Sequence, residues 1–279
     1  FLSFFCSFMP KWGIGRWVRY IILVGSLWGF VFITGLAPSA VRAALMLSLY
    51  LTGRALRRVT DGYNTLAAAA FCMLAYNPYY LFDVGFQLSF SAVAAIVLVQ
   101  PKLYAFWKVD NRFLRYLWGL MTVSMAAQLG TAPLVIFYFS RFSTHFLLTN
   151  LWVIPMVSLV LYSAVFLLML TPLPFVQHLF ARVVEALVHV QNEVLRWIEH
   201  LPGAAVDDIW LDIWGVLLVY LFLGMAYYGF LRLTVRRVCF ALLALLAVVS
   251  WHSLSIMSNA PRQGIAFYSV RGCPVVHCM

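Results

Sequence analysis

Residues Tyr79–Val99 read YYLFDVGFQLSFSAVAAIVLV, an apolar run in which Asp83 is the one formally charged side chain. An α-helix needs about 20 consecutive apolar residues to cross the hydrocarbon core of a bilayer, and this run has that length. Several runs of similar character follow one another along the chain. Their repetition predicts an all-α polytopic membrane protein with about 7 to 9 transmembrane or re-entrant helices.

The composition of the 279 residues supports the same class, because 64% are hydrophobic, only 10% are charged and the mean hydropathy is +0.92. A soluble domain is about 45–50% apolar and about 25% charged. So few charged side chains cannot cover a water-facing surface, which excludes a soluble enzyme, a disordered tail, a secreted disulfide scaffold and a fibrous protein. The five cysteines show no CxxC spacing, so neither a zinc site nor a disulfide framework is predicted.

The net charge is +10, from 19 Lys and Arg against 9 Asp and Glu. In a membrane protein, such an excess keeps basic loops on the cytoplasmic side. It also suits a protein that handles a polyanion, and the two interpretations are compatible. The basic loops Arg54–Asp61 and Lys102–Arg115 alternate with a nearly uncharged turn at Asn77-Pro78, which predicts cytoplasmic loops and an external turn.

The apolar runs predict helices at Tyr20–Gly35, from Pro38 to Arg54, and at Asn64–Tyr76, Tyr79–Val99, Leu114–Phe139, Phe146–Leu170, Ile213–Leu231 and Val238–Val249. Between Phe146–Leu170 and Ile213–Leu231 lies an amphipathic helix at about 174–200. Its polar and apolar faces favour a position along the membrane interface over a span. Asp207, Asp208 and Asp212 before Ile213–Leu231, and basic residues after it, suggest an outside-to-inside crossing. That direction requires the Pro155 segment to re-enter the membrane, or an earlier helix assignment to be wrong.

The sequence at each end of the chain predicts part of a structural element. Phe1–Met9 is interpreted as the end of a transmembrane helix whose start is missing, and Ile265–Val270 as the first strand of a truncated domain. The predicted domains are therefore 1–9, a membrane domain at 10–255, and 256–279 as a linker with that strand.

Ionisable and polar side chains inside the runs need an explanation, because each ionisable group at membrane depth costs about 2.5–3.5 kcal/mol. Asp83, Gln87 and Ser91 are four residues apart and would share one helix face, with Arg42 as a candidate counter-charge. The structural alternative is that Asp83 caps its own helix while Arg42 extends to the headgroups.

Two further polar lines have the same two interpretations. Ser124, Gln128 and Thr131 lead to Gly130 and Pro133, where a helix break is predicted, and a line of Asn150, Ser158 and Tyr162 brackets a second predicted break at Pro155. Such residues line an aqueous path or join helices through hydrogen bonds. The aromatic residues stack bases or, as their positions near helix ends favour, form interfacial belts.

Motifs for ATP, zinc-protease, serine-hydrolase and dinucleotide sites are missing from the sequence. We therefore predict no catalytic residues, no metal site and no cofactor, and the membrane domain is not expected to be an enzyme.

Four segments in order resemble the membrane domain of the ComEC-type competence proteins. They are GLAPSAVRAALM (Gly35–Met46), YNPYYLFDVGFQLSFSAVAAI (Tyr76–Ile96), AAQLGTAPLVIFYFSRFS (Ala126–Ser143) and LLTNLWVIPMVSLV (Leu147–Val160). The resemblance extends over roughly residues 10–255, and the uninterrupted DVGFQLSF string weighs most.

The resemblance implies a channel for single-stranded DNA in the bacterial inner membrane during natural transformation. It also implies a periplasmic DNA receptor and a cytoplasmic helicase-like ATPase as partners. In the family, an OB-like module and a metallo-β-lactamase-like domain flank the membrane domain, and residues 256–279 would begin the latter. Where many members carry VGQGD, this chain has Val270–Pro274 (VRGCP), which puts nuclease activity of a full-length protein in doubt.

A path for single-stranded DNA needs water, polar walls and cations. The candidate path residues are Arg42, Asp83, Gln87, Ser91, Ser124, Gln128, Thr131 and Asn150. The alternative function is a small-solute or proton-coupled secondary transporter with Asp83 as the coupling carboxylate. An intramembrane hydrolase would need a nucleophile–base pair, and none is identifiable in the sequence.

Overall fold

The structure, a computed structural model, describes residues 14–56, 61–107, 109–169, 174–207, 209–231, 242–246, 248–251, 253, 265–270 and 273–278. Most of these residues are helical, as predicted. The helices are α1 (Ile14–Ile33), α2 (Pro38–Ala55), α3 (Gly62–Tyr76), α4 (Val84–Phe106), α5 (Arg112–Phe139), α6 (Phe146–Met169), α7 (Pro174–Glu199) and α8 (Ile213–Leu231). The chain divides into two compact units, Phe1–Ile209 and Trp210–Met279.

Three of the described helices are long and apolar enough to cross a membrane: Val84–Phe106, Arg112–Phe139 and Phe146–Leu167. Large apolar side chains such as Phe71 and Phe82 are exposed on the surface of the first unit. Exposure of this kind suits a lipid environment, in which apolar side chains need no cover. These features indicate a helical membrane protein, and the total of 7 to 9 helices stays a prediction.

Helices α1 and α2 form a hairpin joined by polar side chains. Gly35 and Leu36 have positive φ angles in the turn, and Pro38 occupies the first turn of α2, where its missing N–H costs nothing. Across the hairpin, Trp28 Nε1 donates to Ser48 Oγ at 3.2 Å. The predicted boundaries of α2 and α3 are confirmed to within a few residues.

The predicted helix Tyr79–Val99 is divided in the structure. Pro78–Phe82 form a 3₁₀ turn, and α4 begins only at Val84 and continues to Phe106. Asp83, in an extended conformation, ends the turn and caps the helix. The predicted start was therefore wrong by five residues, because a continuous apolar run hides a change from one helix type to another.

Helix α5 continues unbroken past Gly130 and Pro133, so the predicted break there is wrong. One face of this helix consists of small buried residues, Ala126, Gly130 and Pro133 among them. This face packs closely on α4, and tertiary packing holds a proline-containing helix together where isolated propensity would not. Helix α6 likewise continues through Pro155, so that predicted break is also wrong.

Helices α6 and α7 form a hairpin closed at its open end by a two-stranded sheet. Strand β1 (Phe142–Ser143), just before α6, pairs antiparallel with β2 (Ala205–Val206), just after α7. Arg141 Nε lies 2.9 Å from Asp207 Oδ1 and reinforces this closure. The end of α7 therefore lies beside the start of α6.

This hairpin decides how the second half of the first unit returns on itself. A complete α6 followed by α7 brings residues 203–207 back beside residues 140–144. The amphipathic helix is confirmed as a helix, and it runs antiparallel to the apolar α6. Its position along the membrane interface and the re-entry of the Pro155 segment stay predictions.

In the second unit, α8 agrees with the predicted run Ile213–Leu231. Asp212 caps α8 through its Oδ1, which accepts from Gly215 N at 3.1 Å and from Trp251 Nε1 at 2.9 Å. The described parts of the predicted run Val238–Val249 are helical, whereas Phe1–Met9 lies outside the described residues.

The predicted strand Ile265–Val270 is confirmed as β3. It pairs antiparallel with β4 (Cys273–Cys278), a strand that was not anticipated.

Candidate functional site

Asp83 lies at the start of α4, where its carboxylate accepts two hydrogen bonds. Its Oδ2 accepts from Phe86 N at 2.9 Å and from Arg42 Nη1 at 3.2 Å. Asp83 is the N-cap of α4, one turn before Gln87, whose N–H donates to the Asp83 carbonyl at 3.0 Å. The two alternatives considered for Asp83, helix cap and ion pair, are both realised by the same oxygen atom.

Arg42 projects from α2 and is the one buried charged residue in the described part of the chain. Its side chain is 9% exposed, whereas that of Asp83 is 44% exposed. The pair therefore has an enclosed cation and a carboxylate that faces partly outward. The predicted pairing of Arg42 with Asp83 is confirmed.

Gly85 makes room for the guanidinium group. A Cβ atom at this position would lie 2.9 Å from Arg42 Nη2 and 3.3 Å from Asp83 Oδ2. The Nε atom of Arg42 is buried and has no hydrogen-bond acceptor among the described residues. Enclosing a charge with an unsatisfied N–H is costly, so the pair depends on close packing around it.

Gln87 joins three elements through its amide group. Its Nε2 donates to the Leu81 carbonyl of the 3₁₀ turn at 2.9 Å, and its Oε1 accepts from Tyr138 Oη on α5 at 2.9 Å. Gln87 thus holds the turn and α5 against the first turns of α4. This geometry supports the structural interpretation of Gln87, as a residue that joins helices.

Ser91 lies where α4 and α5 come into close contact. Its hydroxyl donates to the Leu88 carbonyl of its own helix at 3.1 Å. On the facing helix, a Cβ atom at Gly130 would lie 2.6 Å from the Ser91 carbonyl oxygen. The sequence indicated that Gly130 was special but assigned it to a helix break, whereas the structure uses it for this contact.

The other candidate residues are dispersed along α5 and α6. Ser124 is buried, Gln128 and Asn150 are partly buried, and Thr131 donates to the Ala127 carbonyl of its own helix. In the described part of the chain, no hydrogen bond or ion pair joins these four residues to Arg42, Asp83 or Gln87. Of the predicted path residues, the structure therefore brings together only those at the start of α4 and Arg42 of α2.

Sequence reasoning missed two contributors to this site, Gly85 and Tyr138, and gave a third, Gly130, the wrong role. Gly85 and Gly130 carry a signal, because glycine inside an apolar helix often marks a close approach. Among the described residues, no group of three or more His, Cys, Asp and Glu is placed to hold a metal ion.

We expect Gln87→Leu to lower the amount of folded protein, because it removes both hydrogen bonds that join α4 to the turn and to α5. An interhelical hydrogen bond in a membrane protein contributes about 0.6–2 kcal/mol. Tyr138→Phe should give a smaller decrease, since it removes only the bond between Tyr138 and Gln87. Ser91→Ala is the control, and thermal unfolding in detergent is the measurement.

The outcome of Gln87→Leu distinguishes the two roles of this residue. Reduced abundance, shared in part by Tyr138→Phe, supports a joining role. Wild-type abundance with lost transport would instead place Gln87 on a path. Wild-type abundance and transport would contradict both.

Comparisons with known proteins agree with the resemblance of the four segments. The family model described as "Competence protein" matches residues 1–233. The protein named "ComE operon protein 3" of Bacillus subtilis (strain 168) is 34% identical over 147 residues, which cover 53% of this chain and 18% of that relative. The aligned region is thus less than a fifth of that relative's length. No solved structure matches the chain.

Proposed function

Because the chain belongs to the competence protein family, we propose that it contributes a membrane channel that carries single-stranded DNA across the bacterial inner membrane during natural transformation. The observation that supports the proposal best is the Arg42–Asp83 pair between α2 and α4. A polyanion crossing a bilayer needs fixed positive charge along its path, and Arg42 is a buried cation between two helices.

The partly exposed carboxylate of Asp83 suits a site that a strand passes. It neutralises Arg42 when no nucleic acid is present, at a cost lower than that of an unpaired buried cation. A phosphate group approaching from the exposed side of Asp83 would offer the guanidinium a second anionic partner. In this proposal, Arg42 and Asp83 form the first polar contact on the external side.

We further propose a multi-pass topology of 7 to 9 transmembrane helices, with the loops Arg54–Asp61 and Lys102–Arg115 in the cytoplasm. The alternation of basic loops with the uncharged Asn77-Pro78 turn supports it. Substituted cysteines at positions 57 and 108 are expected to react with an impermeant thiol reagent only after the membrane is opened. A cysteine at position 78 should react in intact cells, and labelling of position 57 from outside would contradict the topology.

The partners proposed for the whole protein follow its family. A periplasmic DNA receptor would deliver the strand, and a cytoplasmic helicase-like ATPase would pull it, since the chain carries no ATP motif. The membrane domain is proposed to lack catalytic activity of its own.

Transformation of a deletion strain tests the proposed function. The strain, carrying the gene for the full chain or an empty vector, is given labelled DNA, and label is measured separately outside and inside the inner membrane. Label should reach the cytoplasm only with the gene, while surface binding stays equal. Equal entry of labelled DNA in both strains overturns the proposal. If the chain instead supports proton-dependent uptake of a small solute, the result favours the alternative, a transporter with Asp83 as the coupling carboxylate.

A further inference from the structure

Six ionisable side chains form one narrow stripe along α7. Because an α-helix turns about 100° per residue, these positions fall within an arc of about 80°. The stripe consists of His178, Arg182, Glu185, His189, Glu193 and Arg196, and every member is exposed. We call this set the charged stripe.

The side of α7 opposite the charged stripe is apolar and faces α6. Phe180 contacts Phe166 of α6, with ring centroids 5.0 Å apart. Leu187 and Val194 are partly buried and Ile198 is buried, and all lie on the same side as Phe180. The charged stripe therefore points away from α6, the helix with which α7 makes its most extensive contact.

The lengths and connections of the two helices decide how α7 lies relative to the membrane. Helix α6 has 24 residues and α7 has 26, which at 1.5 Å per residue correspond to about 36 Å and 39 Å. The β1–β2 pairing holds the end of α7 beside the start of α6, and the connection after Met169 joins their other ends. If α6 crosses the bilayer, α7 crosses the same thickness in the opposite direction.

A crossing α7 places Arg182, Glu185 and His189 near the middle of the bilayer. Each ionisable residue at that depth costs about 2.5–3.5 kcal/mol when lipid surrounds it. Within the stripe, Glu193 pairs with Arg196 at 3.2 Å and approaches His189 at 3.8 Å. In the described part of the chain, no salt bridge links the stripe to another helix, so neighbouring helices do not compensate these charges.

We propose that α7 crosses the membrane beside α6 and that the charged stripe lines a water-filled path, rather than resting on the membrane surface. The charge pattern favours water as the occupant, because the stripe carries two Arg and two Glu. The side chains of His189, Glu193 and Arg196 are 54–72% exposed. That this path is also the one taken by the DNA strand rests on the proposed function. The apolar flanks, such as Val183 and Val190, would then face lipid.

Cysteine accessibility tests the crossing directly. The native cysteines of the full chain are replaced by serine, and single cysteines are introduced at positions 178, 185 and 196 of the stripe. Positions 183 and 190 are matched controls, because Val183 is 46% exposed and Val190 48% exposed on the same helix. A charged, membrane-impermeant thiol reagent is applied to intact cells and to opened membranes.

We expect position 196 to react from the outside and position 178 only from the cytoplasmic side. Position 185 should react at least about tenfold faster than position 183, because a thiol ionises and reacts in water and stays protonated in lipid. Reaction of positions 178 and 196 from the same side would overturn the proposal and place α7 on the membrane surface. Protection of position 185, with disulfide crosslinking of position 189 between two copies, would also overturn it, since a second chain would then cover the stripe.

The contribution of the strand is measured separately. Reaction at position 185 with a bulky charged reagent is expected to block entry of labelled DNA, whereas the same treatment at position 183 leaves entry unchanged. Unchanged entry after complete reaction at position 185 would overturn the strand's use of this path. The proposed function itself fails only if the unmodified full chain does not support DNA entry.

Discussion

The substitution Gly130→Ala is expected to separate α4 from α5 and to remove most of the folded protein from the membrane. An added Cβ atom would lie 2.5 Å from Ala95 Cβ and 2.6 Å from the Ser91 carbonyl oxygen. Since non-bonded carbon atoms prefer separations of about 3.5–4.0 Å, the helices would have to move apart by about 1 Å. Overpacking of this kind typically costs about 1–3 kcal/mol, and an obstructing backbone atom places this site at the upper end.

Gly119→Ala is the matched control on the same helix. Its added Cβ atom would lie 3.8 Å from the nearest atom, Tyr104 Cε2, which is an ordinary contact distance. The abundance and thermal stability of each variant are measured on detergent-solubilised protein by size-exclusion chromatography. Ala95→Gly should rescue Gly130→Ala only in part, because the Ser91 carbonyl oxygen remains. Equal stability of the Gly130 and Gly119 variants would contradict the close approach.

The behaviour of α5 shows why a local pattern misjudges such a site. Glycine and proline are poor helix formers in water, so Gly130 and Pro133 predict a break from the sequence alone. In the structure, both are buried within a continuous helix, and Gly130 lies against Ser91 and Ala95 of α4. Whether α5 continues through Gly130 depends on the residues of α4 against which it packs. Those residues are about 35–40 positions earlier in the chain, so a local pattern in α5 does not include them.

The Arg42–Asp83 pair was predictable for a different reason. The basic-loop pattern orients α2 and α4 in the same direction, and both residues lie near the starts of those helices, so their depths match. The sequence indicated the helix cap as an alternative to the ion pair, and it could not show that one carboxylate oxygen of Asp83 does both. The sequence also could not show that the residues before Asp83 form a 3₁₀ turn instead of continuing α4.

The orientation of α7 could not be predicted, because the same amphipathic pattern serves a helix on the membrane surface and a helix beside water within the membrane. The pairing of Phe142–Ser143 with Ala205–Val206 places the end of α7 beside the start of α6, and our proposal that α7 crosses the membrane rests on this pairing. Strands of two residues are too short to produce a recognisable alternation, so this closure is visible only in three dimensions.

The second large effect is expected from the two members of the buried pair, and their effects should be unequal. Asp83→Ala leaves the 9% exposed Arg42 side chain without its carboxylate, and removing one partner of a buried ion pair costs about 3–5 kcal/mol. Arg42→Ala should cost less, because Asp83 stays 44% exposed to solvent and keeps its bond from Phe86 N. The double substitution should be less destabilising than Asp83→Ala alone, since it leaves no uncompensated charge.

Asp83→Asn separates the ion pair from the helix cap, because an amide oxygen still accepts from Phe86 N. The Asn variant should therefore be more stable than the Ala variant by about 0.5–2 kcal/mol, the usual contribution of a cap. Strictly additive effects of the Arg42 and Asp83 substitutions on unfolding would contradict the coupling. DNA entry into cells that carry the double variant then decides the role of Arg42. If this variant is as abundant as the wild type and fails to admit DNA, Arg42 lies on the path. If DNA entry is normal, the pair only holds α2 against α4.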